Sequence, residues 1–202
     1  MSKVDFNKSF KKLKTFCEKE NFKGWDPYDG LNSRLFHKLP FFKNSRFFRL
    51  AWIQFFKRSP LNFRRLVGVP KEHNPKGLAL FLTGYCNLYH LDPQKEYLNY
   101  IQELTQLILK KQTLGYSGAC WGYNFDWQAR AFFQPKNTPT VVATSSVTEA
   151  LIKSYKITKS QEVLKVLLSV SNFIKEDLNK TYDQNKNFTL SYSPLDHTQV
   201  FN

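Results

Sequence analysis

The chain has 202 residues, 42% of them hydrophobic and 23% charged, which suits one soluble domain with a sizeable core. Its formal charge is +14, from 30 basic and 16 acidic residues, and its 33 aromatics include 19 phenylalanines. Cys17, Cys86 and Cys120 show no CxxC spacing, so a disulfide framework is not expected and the thiols read as cytosolic. There is no apolar run after the first charges and no stretch of roughly 20 apolar residues, so neither a secretory leader nor a spanning helix is expected.

In chain order, residues 3–22 predict an amphipathic helix with Phe6, Phe10, Leu13 and Cys17 on one face, stopped by Gly24. The turn GWDPYDG follows, residues 24–30. Trp25 and Tyr28 offer flat surfaces; Asp26 and Asp29 offer carboxylates. Rings stack on apolar sugar faces, and carboxylates accept hydroxyl hydrogens or perform acid–base work. The plainer reading of Asp29, shared with Asn32, is a cap on a helix starting near Leu31.

Residues 38–76 hold ten lysines and arginines against one acid, Glu72. Within them 45–58 predicts a helix with Phe48, Trp52, Phe55 and Phe56 inward and Arg46, Arg49 and Lys57 away. Three readings stand: a buried aromatic helix with a solvated basic rim, docking on an anionic membrane surface, and nucleic-acid binding. No recognised motif accompanies the third, so nucleic acid is not an expected partner.

Four more helices follow, over 77–91, 93–111, 140–156 and 160–178, in two pairs split by a tight turn. Each pair ends in a long aromatic loop. The register of Tyr97-Leu98 recurs at Val163-Leu164, a weak repeat of the kind seen in arrays of α-hairpins. The expected class is all-α, one domain over residues 1–202, with the long loops gathered at one end as a cleft.

The first loop, Gly115 to Pro135, is the most informative stretch. Gly115, Gly118 and Gly122 suit a shaped backbone, and so many rings are unusual in a solvated connector. Asp126 lies between Phe125 and Trp127, with Gln128 and Arg130 close by. It reads either as a general acid or as the partner of Arg130 in an ion pair that braces the loop. Trp25, Tyr28, Trp121, Tyr123 and Trp127 are candidate stacking surfaces, though each ring would serve a core equally well. Gln128 and Arg130, and Tyr192 and Asp196 from the second loop, complete the candidate binding set. Asp26 or Asp29 with Asp126 is the expected catalytic pair, to be tested by the separations that glycoside cleavage requires. The four histidines show no metal-ligand spacing, and no dinucleotide or phosphate-loop motif occurs, so no metal or cofactor is expected. Cys120 could be a nucleophile, but a lone cysteine of this kind is more often inert packing.

The strings GWDPYDGLN, LVGVP, NPKGLAL, CWGYNFDWQ, TPTVVAT and SYSPLD together resemble a family of bacterial α/α-toroid proteins found with polysaccharide biosynthesis. That family is similar to six-hairpin glycosidase-like and terpenoid-cyclase-like toroids. The resemblance implies antiparallel hairpins of an (α/α) toroid and a role with a glycan or glycan precursor, in the cytoplasm or peripherally at the inner membrane. It leaves open hydrolase, lyase or epimerase activity, a non-catalytic membrane or complex-docking module, and an isoprenoid-handling toroid. A full toroid needs over 300 residues, so the expectation is a partial chain forming an open arc, with Gln199–Asn202 entering a further helix.

Overall fold

Asp5 begins the first helix by accepting a hydrogen bond from the Lys8 amide at 3.1 Å. This computed structural model describes residues 5–130 and 132–198; the expected entry to a further helix at residues 199–202 lies outside them. Helix α1 spans Phe6–Lys19, followed by α2 (Arg34–His37), α3 (Pro40–Asn44) and α4 (Arg46–Arg58). The paired helices are α5 (Pro75–Leu91), α6 (Lys95–Lys110), α7 (Val141–Thr158) and α8 (Gln161–Asn172). Two small antiparallel hairpins sit in the loops: β1 (Trp127–Gln128) with β2 (Phe133–Gln134), and β3 (Lys180–Tyr182) with β4 (Phe188–Leu190). The chain is therefore mostly helical, and the loops expected to be irregular are partly β.

The hairpin half holds most of the core. Asn74 caps α5 by accepting from the Lys76 and Gly77 amides, and Pro75 occupies the first turn, where its missing N–H costs nothing. On the inner faces of these helices Leu82, Ile101, Leu104, Ile108, Val147 and Leu151 are fully buried. Helix α5 packs against both α6 and α7, and α7 against α8. Thr105 and Ser154 satisfy each other across α6 and α7 at 2.8 Å, so neither buried hydroxyl is left without a partner. Helix α8 ends earlier than 178 and continues as one wide π turn, Phe173–Asp177.

The front half departs further from expectation. Helix α1 stops at Lys19, and the reversal uses Asn21 and Phe22 at φ 50° and 57°; Gly24 is not the terminator. Phe22 occupies this uncommon region because its ring anchors in the core, edge-on to Tyr85 and Tyr100 at 6.0 and 5.9 Å. Gly24 instead pairs its backbone with Glu72. No residue of α1 is buried. The expected cap at Asp29 or Asn32 is a 3-10 turn, and Ser33 caps α2 through its hydroxyl at 3.2 Å. In α4 the inward face is Trp52, Ile53 and Phe56; Phe48 and Phe55, expected inside, are exposed. Arg64, expected on a solvated rim, is buried.

Candidate functional site: an aromatic cleft beside the Asp26 turn

The turn at residues 25–29 is held from below by one arginine. Arg64 Nε donates to Asp29 Oδ1 at 2.7 Å, and its Nη2 donates to the Asp26 carbonyl at 2.9 Å. Asp29 Oδ2 accepts from the Asp26 amide at 2.9 Å, and Asp26 Oδ1 accepts from the Tyr28 amide at 2.9 Å. The buried Asp29–Arg64 pair therefore fixes the turn and leaves Asp26 at its open side. Trp25 is tethered by its indole N–H to the Val69 carbonyl at 2.9 Å, with the Lys71 ammonium 4.9 Å over its ring.

The facing wall is the loop after α6. Three of its expected glycine roles resolve into two kinds. Gly115 takes φ 90°, whereas Gly118 and Gly122 allow close approach: an added Cβ would stand 1.9 Å from the Ser169 carbonyl oxygen and 2.1 Å from that of Thr138. Asn32 ties the loop to the front half by donating to the Asn124 carbonyl at 2.8 Å. The second long loop joins the same rim. The Val141 amide donates to the Tyr192 carbonyl at 2.9 Å, and Ser193 donates to Gln134 Oε1 at 2.9 Å.

Between these walls lies an open cleft of about 620 Å³. Trp25, Tyr28, Tyr123, Trp127 and Tyr192 line it, together with the carboxyl groups of Asp26 and Glu72. The rings brace one another: Trp127 meets Tyr28 edge-on at 6.5 Å and Tyr192 at 6.0 Å, and Tyr123 stacks on Phe125 at 5.4 Å. Burial, with a hydrogen bond to Tyr192, raises the Tyr123 phenol well above its ordinary range. Lys57 of α4 donates to the Tyr28 hydroxyl at 2.8 Å.

Of the three acids that line the cleft, Glu20 is paired with Lys71 at 2.5 Å, and Asp26 and Glu72 are pushed in opposite directions. Burial raises Asp26, and the Tyr28 amide, Arg64 and Lys76 offset it only in part. Glu72 is also raised by burial, but the hydrogen bond and charge of Lys136, at 2.8 Å, outweigh that and leave it below its ordinary value. The two carboxyls thus sit in different electrostatic surroundings, one set by burial and the other by a lysine. Asn124 Nδ2 donates weakly to Glu72 at 3.4 Å, which turns its Oδ1 away from the carboxylate. That buried oxygen has no partner within the protein, the one such side-chain atom among the described residues.

The remaining candidates have structural positions. Trp121 is fully buried, donates to the Ile108 carbonyl at 2.9 Å and belongs to the core, so it offers no stacking face. Asp29 is buried beneath the turn, away from the lining. Asp126 does not line the cleft; its Oδ1 accepts from the Lys136 amide at 2.7 Å. It braces the loop, but not through Arg130, which is exposed and accepts at its carbonyl from Arg46. Gln128 is buried, bonded to Arg49 Nε at 2.8 Å and to the Ala129 and Phe132 carbonyls. Asp196 is buried and accepts from the amides of Thr198 and Tyr192. Cys120 is fully buried, and burial pushes its thiol up to about 12, the opposite of nucleophile activation. Among the described residues no group of three or more His, Cys, Asp or Glu is placed to hold a metal ion.

Glu72 and Asn124 are among the cleft residues that sequence reasoning missed, with Glu20, Asn74 and Lys76. In the sequence Glu72 stands only as the lone acid of a basic block. That isolation was itself a signal, since a single carboxylate there must serve some local partner. Comparison with protein-family models, curated proteins and solved structures finds no match.

Proposed function

We propose that this cleft holds a glycan, and that the protein is carbohydrate-active or carbohydrate-binding and serves bacterial surface or extracellular polysaccharide biosynthesis. The observation that carries the reading is the grouping of five half-buried rings around Asp26 and Glu72 in one open cleft. Rings take the apolar faces of a sugar, and the two carboxyls take its hydroxyls. As an enzyme, Asp26 and Glu72 would be the carboxyls that exchange protons with a bound sugar, in place of the expected pairing of Asp26 or Asp29 with Asp126, since neither Asp29 nor Asp126 lines the cleft.

We place the chain in an (α/α) toroid arrangement. Support comes from α5 beside α7: the first helices of successive hairpins are neighbours, as in an inner ring. Three free thiols fit a cytoplasmic setting. The test is a panel of acidic and neutral oligosaccharides titrated against tryptophan fluorescence. A ligand should bind wild type, and Trp25→Ala or Trp127→Ala should weaken it about tenfold, equivalent to about 1.4 kcal/mol. Asp26→Asn should keep binding and, in an enzyme, lose turnover. Ligand binding that survives both tryptophan changes would remove the cleft from the account.

A further inference from the structure

We infer that the outer face of α4, with the neighbouring α3, is a docking surface for an anionic phospholipid bilayer. The cleft plays no part in this inference. The face is apolar where a globular protein is normally polar. Phe47, Ala51 and Phe55 recur at four-residue spacing along α4 and all are exposed. Phe47 is 72% exposed and Phe41, on α3, 86%. Phe48 sits between the two helices, with its ring 4.2 Å from Phe42 and 5.6 Å from Phe47.

Charge identifies the partner. Residues 30–71 contain ten lysines and arginines and no aspartate or glutamate. Arg64 and Lys71 are matched to Asp29 and Glu20, but Lys38, Lys43 and Arg58 are exposed cations with no acid in an ion pair with them among the described residues. Phenyl rings interleaved with such cations suit the boundary between headgroups and acyl chains. A second copy of the same face would bring these like charges together, which opposes self-association. Nucleic acid would also neutralise the cations, but no recognised nucleic-acid motif accompanies the block. No described helix is long and apolar enough to cross a bilayer, so the contact is at its surface.

The experiment is co-sedimentation of the full chain with vesicles of phosphatidylcholine, with and without phosphatidylglycerol. Binding should require phosphatidylglycerol and fall by at least about tenfold at high salt. The double variant Phe41→Ser, Phe47→Ser should lose at least about tenfold in affinity while keeping wild-type circular dichroism, since both rings are already in solvent. Equal binding to neutral vesicles, unchanged binding by the folded double variant, or an oligonucleotide bound in preference to the vesicles would overturn the inference. So would a wild-type dimer that the double variant dissociates, because a second copy would then own the face.

Discussion

Helices α1 and α5 show how differently the two halves of this molecule are built. Helix α1 has a regular apolar stripe and buries none of it, whereas α5 buries Leu78, Ala79, Leu82, Tyr85 and Cys86. The same periodic pattern therefore means core in one half and surface in the other. What separates them is the supply of partners: α5 has α6 and α7 packed against it, whereas α1 meets the rest of the chain mainly through polar contacts of Lys14 and Glu18 with Glu96 and Tyr85, and through the Phe22 anchor that follows it. The larger cluster of buried apolar side chains belongs to the hairpin half. Charge, exposed rings and the Asp26 turn reside in the front half.

Truncation should expose this contrast most sharply. Leu82→Ala and Trp121→Ala should each cost about 2–5 kcal/mol in urea unfolding, because both side chains are fully buried and leave cavities. Phe10→Ala, on the open face of α1, should stay within about 0.5 kcal/mol of wild type. Equal losses would erase the distinction between the halves.

The front half has one point where a comparable loss is expected. Arg64→Leu strands the Asp29 carboxylate in a buried site and should cost about 3–5 kcal/mol. Lys136→Leu, which removes a partly exposed partner of Glu72, should cost no more than about 1 kcal/mol by the same unfolding measurement. This pair of variants tests whether the turn is anchored as firmly as a core helix.

The smallest effect concerns Asp26 and is a gain. Its folded pKa lies above the ordinary 3.8, so the fold favours the protonated form. That contribution is complete below the unfolded value and is lost as pH rises through the folded one. Asp26→Asn should therefore unfold at a higher urea midpoint than wild type at neutral pH, and the gap should close below pH 3.8. A midpoint that falls at neutral pH would reverse the assigned direction.

Much of the hairpin half was legible because helical periodicity and tertiary burial agree there: the helices expected over 77–91, 93–111, 140–156 and 160–178 correspond to α5 to α8, with Leu82, Ile101 and Val147 fully buried. The α4 face was misread because Phe48 and Phe55 look like core by composition, while the packing surface was claimed by Ile53 and Phe56. At the cleft, Trp25, Tyr28, Tyr123, Trp127, Tyr192 and Asp26 were legible as rings and an acid on loops. Asp126 was not, since its neighbours in sequence are not its neighbours in space; it faces the Lys136 amide across the β1–β2 hairpin. Glu72 reaches the cleft through a backbone bridge to Gly24, a long-range pairing that no local pattern announces.

The two close approaches at Gly118 and Gly122 narrow the paths by which this loop can evolve. Any codon change there inserts a carbon into space held by a carbonyl oxygen, so the trace of the wall is nearly frozen. The rings mounted on that trace are under no such restriction. Lineages that diversify what they accept would therefore be expected to exchange Tyr123 or Trp127 for other side chains while the path of the backbone between them is inherited unchanged.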